Sequence, residues 1–212
     1  MSQSRLERAR ERLWRGRRLR GTATEEARAL IEQALALFTA EDHSRGRADC
    51  LAELSLFALA AVEFPEALRL LERAVGLYSR AGDDEGAGLG LYWAGVAALA
   101  ADDEARAKSC LLSALPALAA YDRTSEQRGA EEMLGGLAFD ADELDEAAGR
   151  FASALALLPD ETDPLGPSRL RAALARVRRQ AGQSREALEL ARPSTTRERS
   201  CHPEATPRPA CC

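Results

Sequence analysis

The chain has 212 residues, of which 46% are hydrophobic, 30% are charged and only 5% are aromatic. This length corresponds to one domain or two small ones, and it buries enough surface to fold without a disulfide framework. A core with so few aromatic residues depends on Leu and Ala, which favour helices, whereas β-branched and aromatic residues favour strands. The composition therefore predicts close-packed helices. It excludes collagen and low-complexity chains, which are far richer in Gly and Pro.

The net charge of −5 is unevenly distributed along the chain. Residues 1–40 carry nine Arg and five acids, residues 41–163 carry ten bases and twenty-five acids, and residues 164–212 carry ten Arg and four acids. The local net charges are therefore +4, −15 and +6. Basic ends and an acidic middle make self-association between copies of the chain one possible interaction.

Nothing in the sequence predicts a membrane or secretory destination. Residues 1–20 are rich in Arg and lack the apolar stretch of a secretory signal. The longest apolar runs, Leu54–Val62 and Leu91–Ala101, are shorter than the roughly 20 residues of a membrane span. We therefore expect a cytoplasmic protein, in which Cys50 and Cys110 are reduced thiols.

Helical patterns follow one another along the whole chain, and no segment alternates with the period of a strand. The first predicted helix covers residues 5–20. Apolar residues in Pro65–Ala74 then recur at i, i+3, i+4 and i+7, as in an amphipathic helix. Gly82 marks the end of that helix, and Glu85–Ala101 forms the next one. Paired helices predict five units and a tail, with these bounds: 5–40, 45–80, 85–120, 125–160, 165–192, and a disordered tail at 193–212.

A repeat with a period of forty connects these pairs. Alanine recurs five times at this interval, and a second alanine follows seven residues later in the first four units. The two series are Ala27, Ala67, Ala107, Ala147 and Ala187, and Ala34, Ala74, Ala114 and Ala154. A large apolar residue lies between the two alanines of each unit, at Ile31, Leu71, Leu111 and Phe151. One helix pair cannot cover its own apolar face, so the repeat predicts pairs stacked into a superhelix.

These units resemble the tetratricopeptide repeat, whose pattern includes a Leu-Gly pair, then Ala-x3-Phe, then Pro. The fourth unit matches best, with Leu134-Gly135, Ala147, Phe151 and Pro159. The period exceeds the usual value of about 34 by six residues, which predicts longer helices or a longer link. The resemblance covers residues 9–192. The longer unit is similar to the longer variants of the repeat in bacterial signalling and regulatory proteins. The resemblance implies an all-α, right-handed α-solenoid of about five repeats.

The same resemblance implies a partner-binding groove lined by the first helix of each unit. Its expected apolar centre consists of Leu56, Leu59, Tyr92, Val96, Leu99 and Phe139. Its expected basic end consists of Arg169, Arg176 and Arg179. The basic clamp of co-chaperone members has no match as a set, so we expect neither an Hsp70 nor an Hsp90 partner.

Catalytic and metal-binding patterns are scarce. His43 and His202 are interpreted as solvated surface residues, and the acidic pairs as helix caps. The glycine-rich stretch Gly82–Gly90 lacks the Gly-Lys-Ser/Thr ending of a phosphate loop, and we interpret it as a link between helices. Cys201, His202 and the terminal Cys-Cys match no zinc spacing. We predict no catalytic residue, no cofactor and no metal.

The sequence therefore predicts a scaffold that binds a protein or an amphipathic peptide, and not an enzyme. A regulatory or sensor segment of a bacterial kinase or transcription activator system is the alternative. The Arg-rich first helix has three interpretations, of which the first is preferred: a polar cap on the solenoid, a surface for an acidic partner or second copy, and a nucleic-acid contact. The sequence predicts no membrane partner.

Overall fold

The computed structural model describes residues 4–158, 166–183 and 185–187. Within these ranges the secondary structure is helical, without strands, and residues 185–187 are helical as well. Nine helices whose bounds lie within the described residues are α1 Arg5–Leu19, α2 Thr24–Ala40, α3 Ser44–Ala60, α4 Phe64–Arg80, α5 Asp84–Ala100, α6 Glu104–Ala120, α7 Thr124–Asp140, α8 Leu144–Ala156 and α9 Gly166–Gln180. Sequential helices pack as antiparallel pairs, which confirms the predicted all-α solenoid. Residues 159–165 and the predicted tail lie outside the described residues.

Helix length explains the long repeat. The helices α2 to α7 each contain 17 residues, and links of three residues join them. One helix and its link together therefore span twenty positions, and a pair of helices spans twice as many. The six residues beyond the usual repeat of about 34 lengthen the helices and leave the links short.

All these links share one backbone conformation. In the link after α5, Asp102 has φ 56°, and Asp103 N–H donates to the carbonyl of Ala98 at 2.9 Å. Asp102 N–H donates to the carbonyl of Leu99 at 3.1 Å, which completes a Schellman motif. The left-handed residues of the links recur at a regular spacing of twenty positions, with one interval doubled: Asp42, Val62, Gly82, Asp102, Asp122, Asp142 and Gly182. Asp and Gly tolerate this conformation, whereas the β-branched Val62 is strained in it.

Two acidic residues of the links cap the next helix. Asp83 Oδ1 accepts from the N–H of Gly86 at 3.0 Å, and Asp103 Oδ1 accepts from the N–H of Arg106 at 3.1 Å. The link before α5 is only Ala81–Asp83, so the interpretation of Gly82–Gly90 as a link was wrong. Its later glycines lie inside α5, where close packing excludes a side chain. A Cβ on Gly88 would stand 2.6 Å from Ala117 Cβ.

The core follows the predicted alanine register. The two alanines of the first four units are fully buried, namely Ala27, Ala34, Ala67, Ala74, Ala107, Ala114, Ala147 and Ala154. The large residue between them packs on a small residue of the first helix. A Cβ on Gly95 would lie 2.6 Å from Leu111 Cγ, and one on Gly135 would lie 2.9 Å from Phe151 Cδ1. Small residues therefore let the two helices of a pair approach closely.

The first helices of successive units lie on the inner side of the solenoid. Besides the sequential pairs, α1 contacts α3, α3 contacts α5, and α5 contacts α7. Each first helix thus touches the next one, and together they form a concave surface. None of the helices in the described ranges is both long and apolar enough to cross a membrane.

Candidate functional site

The concave surface carries the apolar residues that the sequence predicted for a groove. They lie on α3, α5 and α7, and all six are partly buried: Leu56, Leu59, Tyr92, Val96, Leu99 and Phe139. Partial burial means that each residue packs against a neighbouring helix and still presents some apolar surface to solvent. The successive helices therefore form a continuous, partly apolar strip.

A cavity of about 270 Å³ opens in this strip between α1, α3, α5 and the start of α7. Ala52, Leu56 and Leu89 contribute apolar lining, and Trp93 lies beside them. Trp93 is 36% exposed, so part of its indole is accessible to solvent. The cavity thus joins an apolar surface to an accessible indole.

The sequence register selected Tyr92 and missed Trp93. Tyr92 packs toward α7, because a Cβ on Gly129 would stand 2.7 Å from the tyrosine Oη. Its ring also meets Trp93 edge-on, with centroids 5.4 Å apart. The signal that was available is the spacing from Leu89, since residues four positions apart lie on the same face of a helix and Leu89 lines the cavity with Trp93.

Ion pairs between successive units surround the cavity. Arg17 Nε donates to Glu53 Oε1 at 2.7 Å, and Arg20 Nη1 donates to Glu53 Oε2 at 2.8 Å. Farther along the groove, Arg45 Nε lies 2.9 Å from Asp83 Oδ2. Arg123 and Glu85 form the corresponding pair at the start of α7. These ion pairs connect the first helices and links of neighbouring units, and they hold the charged side chains at the edge of the cavity in place. We call these paired side chains the rim of the cavity.

The Tyr78 hydroxyl and the Cys50 thiol near the cavity are held in their neutral forms. Tyr78 Oη donates to Asp49 Oδ1 at 2.8 Å. Burial raises the pKa of Tyr78, and the charge of Asp49 raises it further. Burial and Asp49 also raise the pKa of Cys50 to about 12, so this thiol remains protonated at neutral pH. The cavity therefore contains neither an activated thiolate nor a phenolate nucleophile.

The arginines of the predicted basic end largely contact α7. Arg169 Nη2 donates to Glu132 Oε2 at 3.0 Å. The guanidinium carbon of Arg176 lies 4.8 Å from the ring centroid of Phe139, in a cation–π contact. Arg179 is exposed and pairs with no carboxylate in the described part of the chain. Two of the three predicted arginines are therefore already engaged in contacts with α7.

A second group of arginines lies at the opposite end of the groove and was missed by the sequence register. It includes Arg17, which lines the cavity. The first unit is one residue shorter than the others, since Gly16 packs on Ile31 fifteen positions later and Gly95 packs on Leu111 sixteen positions later. Because of this shift by one residue, the forty-residue register did not align α1 with the groove-forming helices α3, α5 and α7.

The interpretation of His43 as a solvated residue was wrong. Its Nδ1 accepts from the N–H of Gly46 at 2.9 Å, which makes it the N-cap of α3. Its ring packs against Phe38 with centroids 5.3 Å apart. His202 lies outside the described residues. Among the described residues, no three His, Cys, Asp or Glu side chains form a group suited to a metal ion.

No protein-family model matches the chain, and no curated protein matches its sequence. Solved structures match its fold. Repeats described as those of a kinesin light chain from Podosopora anserina are 22% identical, with a TM-score of 0.67 and coverage of 89% of this chain and 93% of that chain. BtubC from P. vanneervenii is 18% identical, with a TM-score of 0.63 and coverage of 88% and 86%. The MamA protein is 17% identical, with a TM-score of 0.65 and coverage of 87% and 88%.

Proposed function

We propose that this chain, which has the tetratricopeptide-type helical repeat fold, is a scaffold that binds an amphipathic peptide segment of another protein in its concave groove. The observation that carries the proposal is the cavity in which Trp93 and Leu56 meet beneath the arginine-bearing rim. A peptide-binding site usually has apolar surface at the bottom of a groove and charged residues at its edge.

The continuity of the cavity with the apolar strip supports a peptide ligand. The cavity of about 270 Å³ lies near the lower limit of the roughly 300–1,000 Å³ of drug-sized ligand sites, and it opens into the strip. It suits one large apolar side chain, with the rest of the peptide lying along the strip toward Val96 and Phe139. We expect this anchor to supply most of the affinity, since buried apolar and aromatic contacts dominate binding hot spots.

The charge at the far end of the groove supports a ligand with an acidic residue away from its apolar anchor. The three arginines of the cavity pair with carboxylates of the same lining, whereas Arg179 is exposed at the far end and pairs with no carboxylate of the described residues. Such an exposed charge chiefly orients the ligand and raises the association rate. We propose binding without catalysis. We also propose a cytoplasmic location, because Cys50 and Cys110 are free thiols.

Selection of peptides from a random library on the immobilised full chain tests this function. Trp93→Ala and Leu56→Glu should each weaken the selected peptides by more than about tenfold, at low and high salt alike. Arg179→Glu should weaken them mainly at low salt, because an exposed charge is screened.

Leu112→Glu is the matched control for Leu56→Glu, since Leu112 lies on α6, outside the cavity lining, and is 39% exposed. This variant should retain the peptides. If Trp93→Ala and Leu56→Glu retain them as well, binding does not take place in the groove and the proposed function is wrong.

A further inference from the structure

A second surface with a prominent aromatic residue lies outside the groove centre, on α1. Trp14 is 56% exposed. Two shallow concavities adjoin its ring, of about 490 Å³ and about 500 Å³. Arg15 and Arg18 line the first concavity, and Arg10 and Arg17 line the second. The Trp14 face, as we call these five residues, therefore places one accessible indole among four guanidinium groups.

Much of the positive charge on α1 is unused within the chain. The helix contains seven arginines and two glutamates. Arg17 pairs with Glu53, and Arg18 stacks on Trp14 with its guanidinium carbon 4.6 Å from the ring centroid. Arg10 and Arg15 are exposed, and no carboxylate of the described residues pairs with either. This differs from α9, where Arg169 and Arg176 already contact α7.

The same chain carries a complementary surface. The links at 61–63, 101–103 and 141–143 each join the first helix of a unit to its second, so they lie on one edge of the solenoid. Five exposed carboxylates at this acidic edge have no basic partner among the described residues: Glu63, Asp102, Glu104, Asp140 and Asp145. The bases nearby are taken, since Lys108 binds Glu143 and Arg106 binds Glu72.

We propose that the Trp14 face docks on the acidic edge of a second copy of this chain. Two copies related by a two-fold axis make this contact twice, so that each copy uses both of its surfaces. The indole supplies apolar contact, and Arg10 and Arg15 gain the carboxylate partners that they lack within one copy. A nucleic acid would also meet the arginines, but it would leave the five unpaired carboxylates of the acidic edge without a partner, whereas a second copy pairs both surfaces.

Sedimentation velocity of the full chain tests the proposal. Wild type should be dimeric at about 0.05 M salt and shift toward monomer at about 0.5 M, because exposed ion pairs are screened. Arg10→Glu with Arg15→Glu should weaken dimerisation at least tenfold. Glu104→Lys with Asp145→Lys, which reverses two charges of the acidic edge, should do the same.

A mixture of the two double variants is the decisive measurement. In each variant alone, the substituted positions meet like charges, whereas one copy of each variant brings the new acids against the new bases, so the mixture should sediment as a dimer. Arg73→Glu with Arg80→Glu makes the same change of charge on exposed residues of α4 and should leave the dimer intact. Circular dichroism of every variant establishes that its helices are retained.

A wild type that stays monomeric at low salt would overturn the proposal, as would a mixture that does not associate. If the monomer instead binds a single-stranded oligonucleotide and loses it on Trp14→Ala, the Trp14 face is a nucleic-acid surface. A polyglutamate peptide that binds the Trp14 face while wild type remains monomeric would point to an acidic partner protein.

Discussion

Two glycines of α4 and its link should respond in opposite directions to the same substitution. Gly76 lies inside the helix, and Gly82 is the left-handed residue of the link, with φ 67°. At both positions, no heavy atom lies within 4 Å of the point that a Cβ would occupy. A change to Ala therefore tests the backbone alone, without a packing contribution.

The magnitudes follow from the two conformations. Gly76→Ala should raise the free energy of unfolding by about 0.5–1 kcal/mol, since Gly is that much worse than Ala in a helix. Gly82→Ala forces an L-residue into the left-handed region at a cost of about 1–2 kcal/mol, while the stiffer unfolded chain returns about 0.4–1 kcal/mol. It should therefore lower the free energy of unfolding by about 0.8 kcal/mol, the centre of a range of about 0–1.6 kcal/mol.

Thermal and urea unfolding followed by circular dichroism measure this difference. At about 2–4 °C per kcal/mol for a chain of this size, the Tm values of the two variants should differ by several degrees. Gly82→Asn is the control, because Asn tolerates the left-handed conformation and should lose less than Ala. If both Ala variants shift in the same direction, residue 82 does not hold this conformation and the shared link geometry is wrong.

Two further predictions concern packing and pH. Gly135→Ala should lower the free energy of unfolding by about 1–3 kcal/mol, because its Cβ would overlap Phe151. Gly136→Ala is the control and should not lower it, because no heavy atom lies within 4 Å of the point that its Cβ would occupy. Equal urea midpoints for the two variants would contradict this packing. Tyr78→Phe loses the bond to Asp49 and should be less stable by about 0.5–1.5 kcal/mol at neutral pH. Because the pKa of Tyr78 is raised in the folded state, the unfolded state releases this proton first as the pH rises above about 10, and wild type should lose stability there. The difference in free energy of unfolding between wild type and Tyr78→Phe should therefore narrow. A difference that stays constant with pH would refute the raised pKa.

The fold was predictable because its core depends on residue size at fixed spacing. Ala74 and Ala114 are fully buried where the repeat register placed them. Leu111 between such alanines packs on Gly95, as the small-and-large pattern implied. Hydrophobic periodicity reports which face of a helix is buried, and in a solenoid each buried face meets only its neighbours. The sequence pattern therefore contained most of the architecture.

The candidate site was harder to predict because its polar contacts join different units. Arg17 and Glu53 are 36 positions apart, and Arg123 and Glu85 are 38 apart, so neither pair follows the repeat register. The orientation of Trp93 depends on how α5 is rotated against α3 and α7. Hydropathy does not report rotations of this size or the pairing of long charged side chains.

The constant step from one helix to the next has a consequence for how such a molecule can change its length. Because every link turns the chain in the same way, duplication of a whole helix pair adds one unit with its inner and outer faces in place, and no new loop has to be found. Duplication of a single helix with its link would instead bring an outer helix into the groove and expose the alanines that should face a neighbour. Lengthening in whole units is thus the simplest route, and the groove would grow with it, one inner helix at a time.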